Sequence, residues 1–369
     1  MRCLVVLIVG LFAWPSWAQL SNNLFRHANT RPENKYSISF EALQFLKNNE
    51  YFNGINPGET LFGFQTKSQI HYRINNKATF SAGLLLQHDF GDDRLFSKAL
   101  PLFNLELEKK KWLFNIGNIK PHIHHNVNEA LLSYENTMKQ PAEFGLQSIR
   151  NSSKMYYDAW LEWRQKADGE RDKHEEIVFG QSLEAKLFHT ESYTLSMPIQ
   201  AIVYHSGGQG LNLSGHVTTQ MLGAAGVRLT TKDTSLCVEG FVFQSLDNSG
   251  VLSQPYRNGN AYMGNLRFFP HKYHELSFTW WFAREFVSPT GNIVFSNTNL
   301  GNAYQTAQTR RLAMIRWVYS RPLVANKIWM DLRLEPYYDF ERKGLEMSQG
   351  LYFRYVEQIG IKLPRWMGF

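Results

Sequence analysis

Cysteine is scarce in this chain of 369 residues: there are two, Cys3 and Cys237, so no disulfide framework supports the fold. Long apolar runs are scarce as well. Only the N-terminal stretch is apolar enough to enter a bilayer as a helix, which excludes a polytopic helical membrane protein. Charge of one sign does not dominate, since 39 Lys and Arg face 32 Asp and Glu. Aromatic residues are abundant instead, with 26 Phe, 17 Tyr and 10 Trp, and that excludes an intrinsically disordered chain. The aromatic excess calls for a structural explanation.

Residues 1–18, MRCLVVLIVGLFAWPSWA, have the three parts of a secretory signal peptide. Arg2 is the basic part, Cys3 to Trp14 is the apolar part, and Pro15 ends it. The small residues Ser16 and Ala18 then mark a cleavage site before Gln19. Cleavage would leave Cys237 as the sole thiol, placed inside a strand and inert.

The rest of the chain alternates with period two, as strands do and helices do not. In 61–74, Phe62, Phe64, Ile70, Tyr72 and Ile74 share one face, and Gln65, Lys67, Gln69, His71 and Arg73 share the other. In 157–164, Tyr157, Ala159, Leu161 and Trp163 oppose Asp158, Glu162 and Arg164. The pattern predicts about sixteen strands. They are 36–46, 61–74, 78–90, 102–109, 112–120, 143–150, 154–166, 174–188, 192–205, 217–231, 235–245, 261–269, 273–286, 310–320, 327–339 and 351–363.

The connections alternate between short and long. Short ones include Asn75–Lys77, Lys110–Lys111, Asn151–Ser153 and Pro270–Lys272. Long ones cover 47–60, 91–101, 121–142, 167–173, 206–216, 246–260, 287–309 and 340–350. Short periplasmic turns and long external loops are the pattern of an up-and-down barrel in an outer membrane. The expected architecture is therefore all-β: a single antiparallel transmembrane barrel over 36–369, preceded by a periplasmic segment at 19–35. A soluble sandwich or propeller also alternates, but its strands average five or six residues.

Aromatics near strand ends (Tyr72, Trp112, Trp163, Trp280, Tyr355) sit where a membrane barrel places its interfacial girdles. The last strand carries Leu351, Phe353, Tyr355, Ile359, Ile361 and Leu363 on one phase, and the chain ends in Phe369. In these features the chain resembles the Gram-negative outer-membrane porins and related β-barrels, as architecture over nearly all of 36–369. The resemblance implies export through the barrel-assembly machinery into a membrane of lipid and lipopolysaccharide, and it leaves a homotrimer open. Pro364 and Arg365–Gly368 separate the last strand from Phe369, a departure from the usual terminal signal. Loop 121–142 matches the place where many porins fold a constriction into the lumen.

With apolar faces toward lipid, the polar faces line the interior. The expected pore-lining residues are Lys67, His71, Arg73, Glu106, Asp158, Glu162, Arg164, Arg267, Asp331, Arg333, Glu335 and Arg354. Acids and bases are balanced, so no strong ion selectivity is expected. The same charges could pair with one another across strands. Within loop 121–142, His122, His124, His125 and Glu129 are candidates for the constriction; no cofactor or metal is expected, because no element fixes the histidines as ligands.

Ser206–Gly210 is glycine-rich but lacks the helix of a phosphate-binding loop. The nucleophile-elbow pattern G-x-S-x-G is missing, and serines near His71 and His88 are what any polar barrel strand carries. The expectation is a non-enzymatic outer-membrane channel, with no nucleic-acid role, passing small polar solutes such as sugars or oligosaccharides. Tyr157, Trp160 and Trp281 could stack on sugar rings if they face inward. The alternative is a non-conducting barrel for polysaccharide export or for anchoring a surface complex through loops such as 287–309.

Overall fold

The computed structural model describes residues 34–207, 216–324 and 327–361. The signal peptide 1–18, nearly all of segment 19–35, Gly208–Gly210 and the tail with Pro364 and Phe369 lie outside the described residues.

The strands are β1 (Tyr36–Phe52), β2 (Pro57–Asn75), β3 (Ala78–Asp89), β4 (Lys98–Lys109), β5 (Trp112–Asn118) and β6 (Phe144–Asn151). Next come β7 (Met155–Gln165), β8 (Glu175–His189), β9 (Tyr193–Gly207), β10 (Thr218–Thr231), β11 (Leu236–Asp247), β12 (Asn258–His271) and β13 (His274–Arg284). A small hairpin, β14 (Thr298–Asn299) and β15 (Asn302–Thr306), stands apart from the main sheet. The chain finishes with β16 (Thr309–Val324), β17 (Ile328–Asp339) and β18 (Gly344–Ile361). All but the small hairpin form one closed antiparallel barrel, sealed by β1 against β18 from Tyr36↔Ile361 to Glu50↔Met347. Closure leaves no unpaired edge, which a membrane interior would not tolerate.

Alternation builds the wall as the sequence requires. In β1, Ser37, Ser39, Glu41, Leu43, Phe45 and Lys47 are buried inside, while Ile38, Phe40 and Leu46 are exposed outside. Lys109, Lys110 and Lys111 lead through the tight β4–β5 turn, with Lys110 at φ 58°.

Two expectations are corrected. The connection 340–350 is only Phe340–Lys343, and 47–60 is only 53–56, because β18 starts at Gly344 and β1 runs on to Phe52. Extended pairing wins there, since each added residue satisfies its backbone groups in the ladder. The interior is also not simply polar. Leu43, Phe45, Val178, Ile202, Leu222, Phe241, Phe243, Met263, Trp281 and Leu312 are buried within it. They form two apolar clusters with residues of the loops that enter the barrel.

Candidate functional site: the filled lumen

Gly117 closes β5 at φ +107°, where a Cβ would lie 2.1 Å from the Phe103 carbonyl oxygen, so only glycine fits. From there the chain turns into the barrel. A 3-10 turn, His122–His125, ends at Asn126 in the left-handed region (φ 58°), a conformation Asn tolerates. A single helical turn follows at Asn136–Lys139.

This loop bonds to walls on every side. Asn49 of β1 donates to Glu135 (3.1 Å), Gln65 of β2 to the Thr137 carbonyl (3.3 Å) and Gln87 of β3 to the Met138 carbonyl (2.9 Å). Tyr156 of β7 donates to the His124 carbonyl (2.9 Å), and Ser182 of β8 to that of Asn126 (2.8 Å). The Asn128 amide donates to Gln200 Oε1 of β9 (2.9 Å). On the far wall, Glu129 takes Arg316 Nη2 of β16 at 3.0 Å and Arg333 Nη2 of β17 at 3.1 Å. The loop thus spans the lumen.

Two ionic clusters hold it. In the first, His125 contacts Glu143 at 2.8 Å through Nε2 and Asp158 at 2.9 Å through Nδ1, and its ring stacks on Trp160. Nδ1 of His122 meets Glu143 at 2.6 Å. Burial alone would lower the His125 pKa, but the carboxylates of Glu143 and Asp158 outweigh it and raise it to about 10. Burial pushes the Glu143 carboxyl up, but His122 and His125 more than offset this and hold it well below the ordinary carboxylate range. In the second cluster, Glu335 joins Arg316 and Arg333, and Lys47 lies 3.6 Å from Glu135 and 3.8 Å from Glu335. The Arg333 guanidinium rests 3.9 Å from the centre of the Tyr134 ring.

Loop 285–308 also enters the barrel and packs against loop 119–143. Its Thr290 hydroxyl donates to the Leu131 carbonyl (2.6 Å), and the Asn292 amide to that of Glu129 (2.8 Å). Phe286 and Phe295 pack on Trp281, with ring centres 5.6 and 5.0 Å away. At Gly291 a Cβ would lie 2.2 Å from the Ala130 carbonyl oxygen, so the two loops meet backbone to backbone.

The other residues expected to line a pore all lie on the inward phase, and most are paired. Lys67 lies 3.8 Å from Glu41, and Arg164 lies 2.8 Å from Glu162. Arg267 lies 3.4 Å from Glu239, and Arg354 donates to Asp331 at 2.8 Å. Arg73 donates to Asn76 at 2.6 Å, and Glu106 is buried. His71 sits between Ser39 (2.8 Å) and Ser81 (2.7 Å), sealed inside the barrel. Lys67, Arg267 and Arg354 pair across strands, whereas Arg164 pairs along β7. Trp160 and Trp281 face inward but are buried, and Tyr157 faces out, so none presents a stacking surface in the lumen. Among the described residues, no group of three His, Cys, Asp or Glu is arranged to hold a metal ion.

Sequence reasoning missed Lys47, Glu135 and Glu143, and the apolar core of the lumen. One signal was available: β11 is apolar on both phases, with Val238 and Val242 outward and Phe241 and Phe243 inward. It also missed a pair on the lipid-facing side at the external end of β9 and β10, where His205 Nδ1 lies 3.0 Å from Thr219 Oγ1.

Comparisons with known proteins add two findings. The model of a protein family described as "Lipid A 3'-O-deacylase-type" matches residues 27–363. Among solved structures, the outer membrane protein OprD from Pseudomonas aeruginosa is similar with a TM-score of 0.54 at 6% identity, covering 88% of this chain and 94% of that one. OpdL of Pseudomonas aeruginosa gives 0.55 at 10% identity, covering 88% and 99%. The loop L8 deletion mutant of OmpT, an outer membrane protein of Vibrio cholerae, gives 0.54 at 10%, covering 88% and 100%. At these identities the likeness is one of fold, and it is the fold of an outer-membrane barrel. No curated protein matches the chain. The family match overturns the expectation that the barrel is not an enzyme, because a deacylase family is an enzymatic one.

Proposed function

The chain belongs to the lipid A 3'-O-deacylase-type family, and we propose on that premise that it is an outer-membrane hydrolase of acyl esters. Its substrate is an acylated glycolipid of the outer leaflet. The observation that carries this reading is the pair His205 Nδ1 and Thr219 Oγ1, 3.0 Å apart on the lipid-facing side, beside a lumen that loop 119–143 spans. A lumen spanned in this way leaves the membrane-facing wall as the working surface.

Ester hydrolysis needs a nucleophile and a base within hydrogen-bond reach. The Ser39–His71–Ser81 group is sealed in the lumen, where a lipid ester cannot arrive. His205 and Thr219 face lipid at the external rim, the level at which an outer-leaflet ester lies. There Thr219 Oγ1 attacks the ester carbonyl while His205 takes its proton and returns it to the departing sugar hydroxyl. Water then releases the fatty acid from the acylated threonine.

The test is incubation of the folded barrel with lipid A, followed by mass spectrometry. Loss of one ester-linked chain, abolished in His205→Ala and kept in His71→Ala, is expected. An unchanged lipid A with folded protein overturns the reading. The other reading, passage of small polar solutes, draws support from the porin-like architecture. It requires loop 119–143 to leave the lumen, and planar-bilayer conductance tests it.

A further inference from the structure

On the outer wall, three register rows run across β10–β13. Val227, Gly240, Gly264 and Trp280 are successive partners, as are Ala225, Val242, Tyr262 and Phe282. One further pair of residues toward the external rim stand Gly223, Gln244, Asn260 and Arg284. All the larger side chains in these rows point outward, as alternation along each strand dictates.

The first two rows border an open groove of about 760 Å³ on the outer wall, floored by Gly240 and Gly264 and flanked by Tyr262, Trp280 and Phe282. That volume lies in the usual range of small-molecule sites, about 300–1,000 Å³. A Cβ on Gly240 or Gly264 would meet nothing within 4 Å, so packing within the chain does not demand either glycine. Glycine weakens a strand interior, and one of the uses it serves there is to let a ligand approach the backbone closely.

The third row is polar. Gln244, Asn260 and Arg284 are exposed, and among the described residues no ion pair holds the Arg284 guanidinium. The neighbouring Glu285 accepts from Gln308 (3.0 Å). β13 runs from the periplasmic turn at His274 to Arg284 at the external rim. A tilted strand of that length matches an apolar band about 25 Å tall. The groove therefore lies in the outer-leaflet half, with the cation about 7 Å above its aromatic row at the usual rise per residue.

We propose that this groove holds one acyl chain of an anionic outer-leaflet glycolipid of the lipid A class, its phosphate on Arg284 and its tail over Gly240 and Gly264. The choice of lipid rests on the hydrolase reading; the groove and its cation do not. Charge complementarity selects the occupant, because a second copy of the chain would bring the same cation to the same rim.

The experiment is native mass spectrometry of the full barrel released from detergent with lipid A and phosphatidylethanolamine in competition. Retention of one lipid A is expected, reduced at least tenfold in the double variant Gly240→Leu with Gly264→Leu. Arg284→Gln should erase the preference for lipid A over the zwitterionic lipid. Heat-modifiable migration on gels confirms that each variant is folded, as the open space above both glycines predicts. Equal retention by the double variant, equal retention of both lipids by the unmodified protein, or dimers lost on filling the groove would each overturn the proposal. Lipid A retained without acyl release would instead overturn the hydrolase reading and leave this one standing.

Discussion

The His125 ring lies flat on Trp160, centre to centre at 3.6 Å and 8° from parallel. Its two nitrogens are taken by Glu143 and Asp158, one from the loop and one from β7. The stack fixes the plane of the imidazolium, and the carboxylates fix its charge. The loop's entry into the lumen is thereby locked to the wall.

That lock has a pH window. His125 has a raised pKa, so its contribution is full below the ordinary imidazole value of about 6.5 and is lost as pH rises through about 10. Glu143 has a lowered pKa, so its contribution is full above the ordinary carboxylate value of about 4.3 and is lost as pH falls. The loop should be held best near pH 5–6 and loosen in strong alkali. Protease cleavage of 119–143 in the folded barrel, followed between pH 5 and 10, should rise with pH. A flat profile would refute the lock.

Glu129→Ala leaves Arg316 and Arg333 sharing only Glu335, in a buried setting. Breaking a buried ion cluster at one partner costs about 3–5 kcal/mol. The barrel ladder does not depend on Glu129, so the cost should fall on loop seating. Flickering conductance in planar bilayers, with unchanged strand content by circular dichroism, is the expected result.

Gly291→Ala puts a methyl group 2.2 Å from the Ala130 carbonyl oxygen, and backbone must shift. The two inward loops should separate while the wall stays intact. Proteolysis within 285–308 should accelerate, and the thermal midpoint of the barrel itself should move little.

At the lipid-facing rim, Thr219→Ala should abolish acyl release as His205→Ala does, because each removes one half of a single pair. Thr219→Ser keeps the hydroxyl and should retain activity. Equal activity in Thr219→Ala and the unmodified protein would move the site elsewhere.

The wall was legible because its signal is local. Tyr157, Ala159, Leu161 and Trp163 turn out and Asp158, Trp160 and Glu162 turn in, as any reader of period two would place them. In β16, Arg311 and Arg316 fall on opposite phases of the sequence, and the structure gives each a carboxylate: Arg311 turns out to Glu341 and Arg316 turns in to Glu129 and Glu335. The β17–β18 connection was misjudged because residues 344–350 carry two glycines and read as loop. In the structure Leu345 faces out and Glu346 faces in, accepting from the Phe52 amide at 2.6 Å. The plugged lumen was not legible, since a loop's partners on distant strands leave no periodic trace. The proposed reacting pair was not legible either: such a site needs only a few atoms brought together, and His205 and Thr219 flank a long connection.

Glu129 and Arg333 are 204 positions apart in the chain. Closing so long a loop carries an entropic cost and becomes favourable only once the ends are already near. The inward loop can meet β1–β3 and β7–β9 earlier, but Glu129 has no arginine to dock on until β16 and β17 have joined the wall. The seal on that side is therefore among the last contacts the barrel can make, and a chain lacking β16 and β17 would leave Glu129 without either arginine.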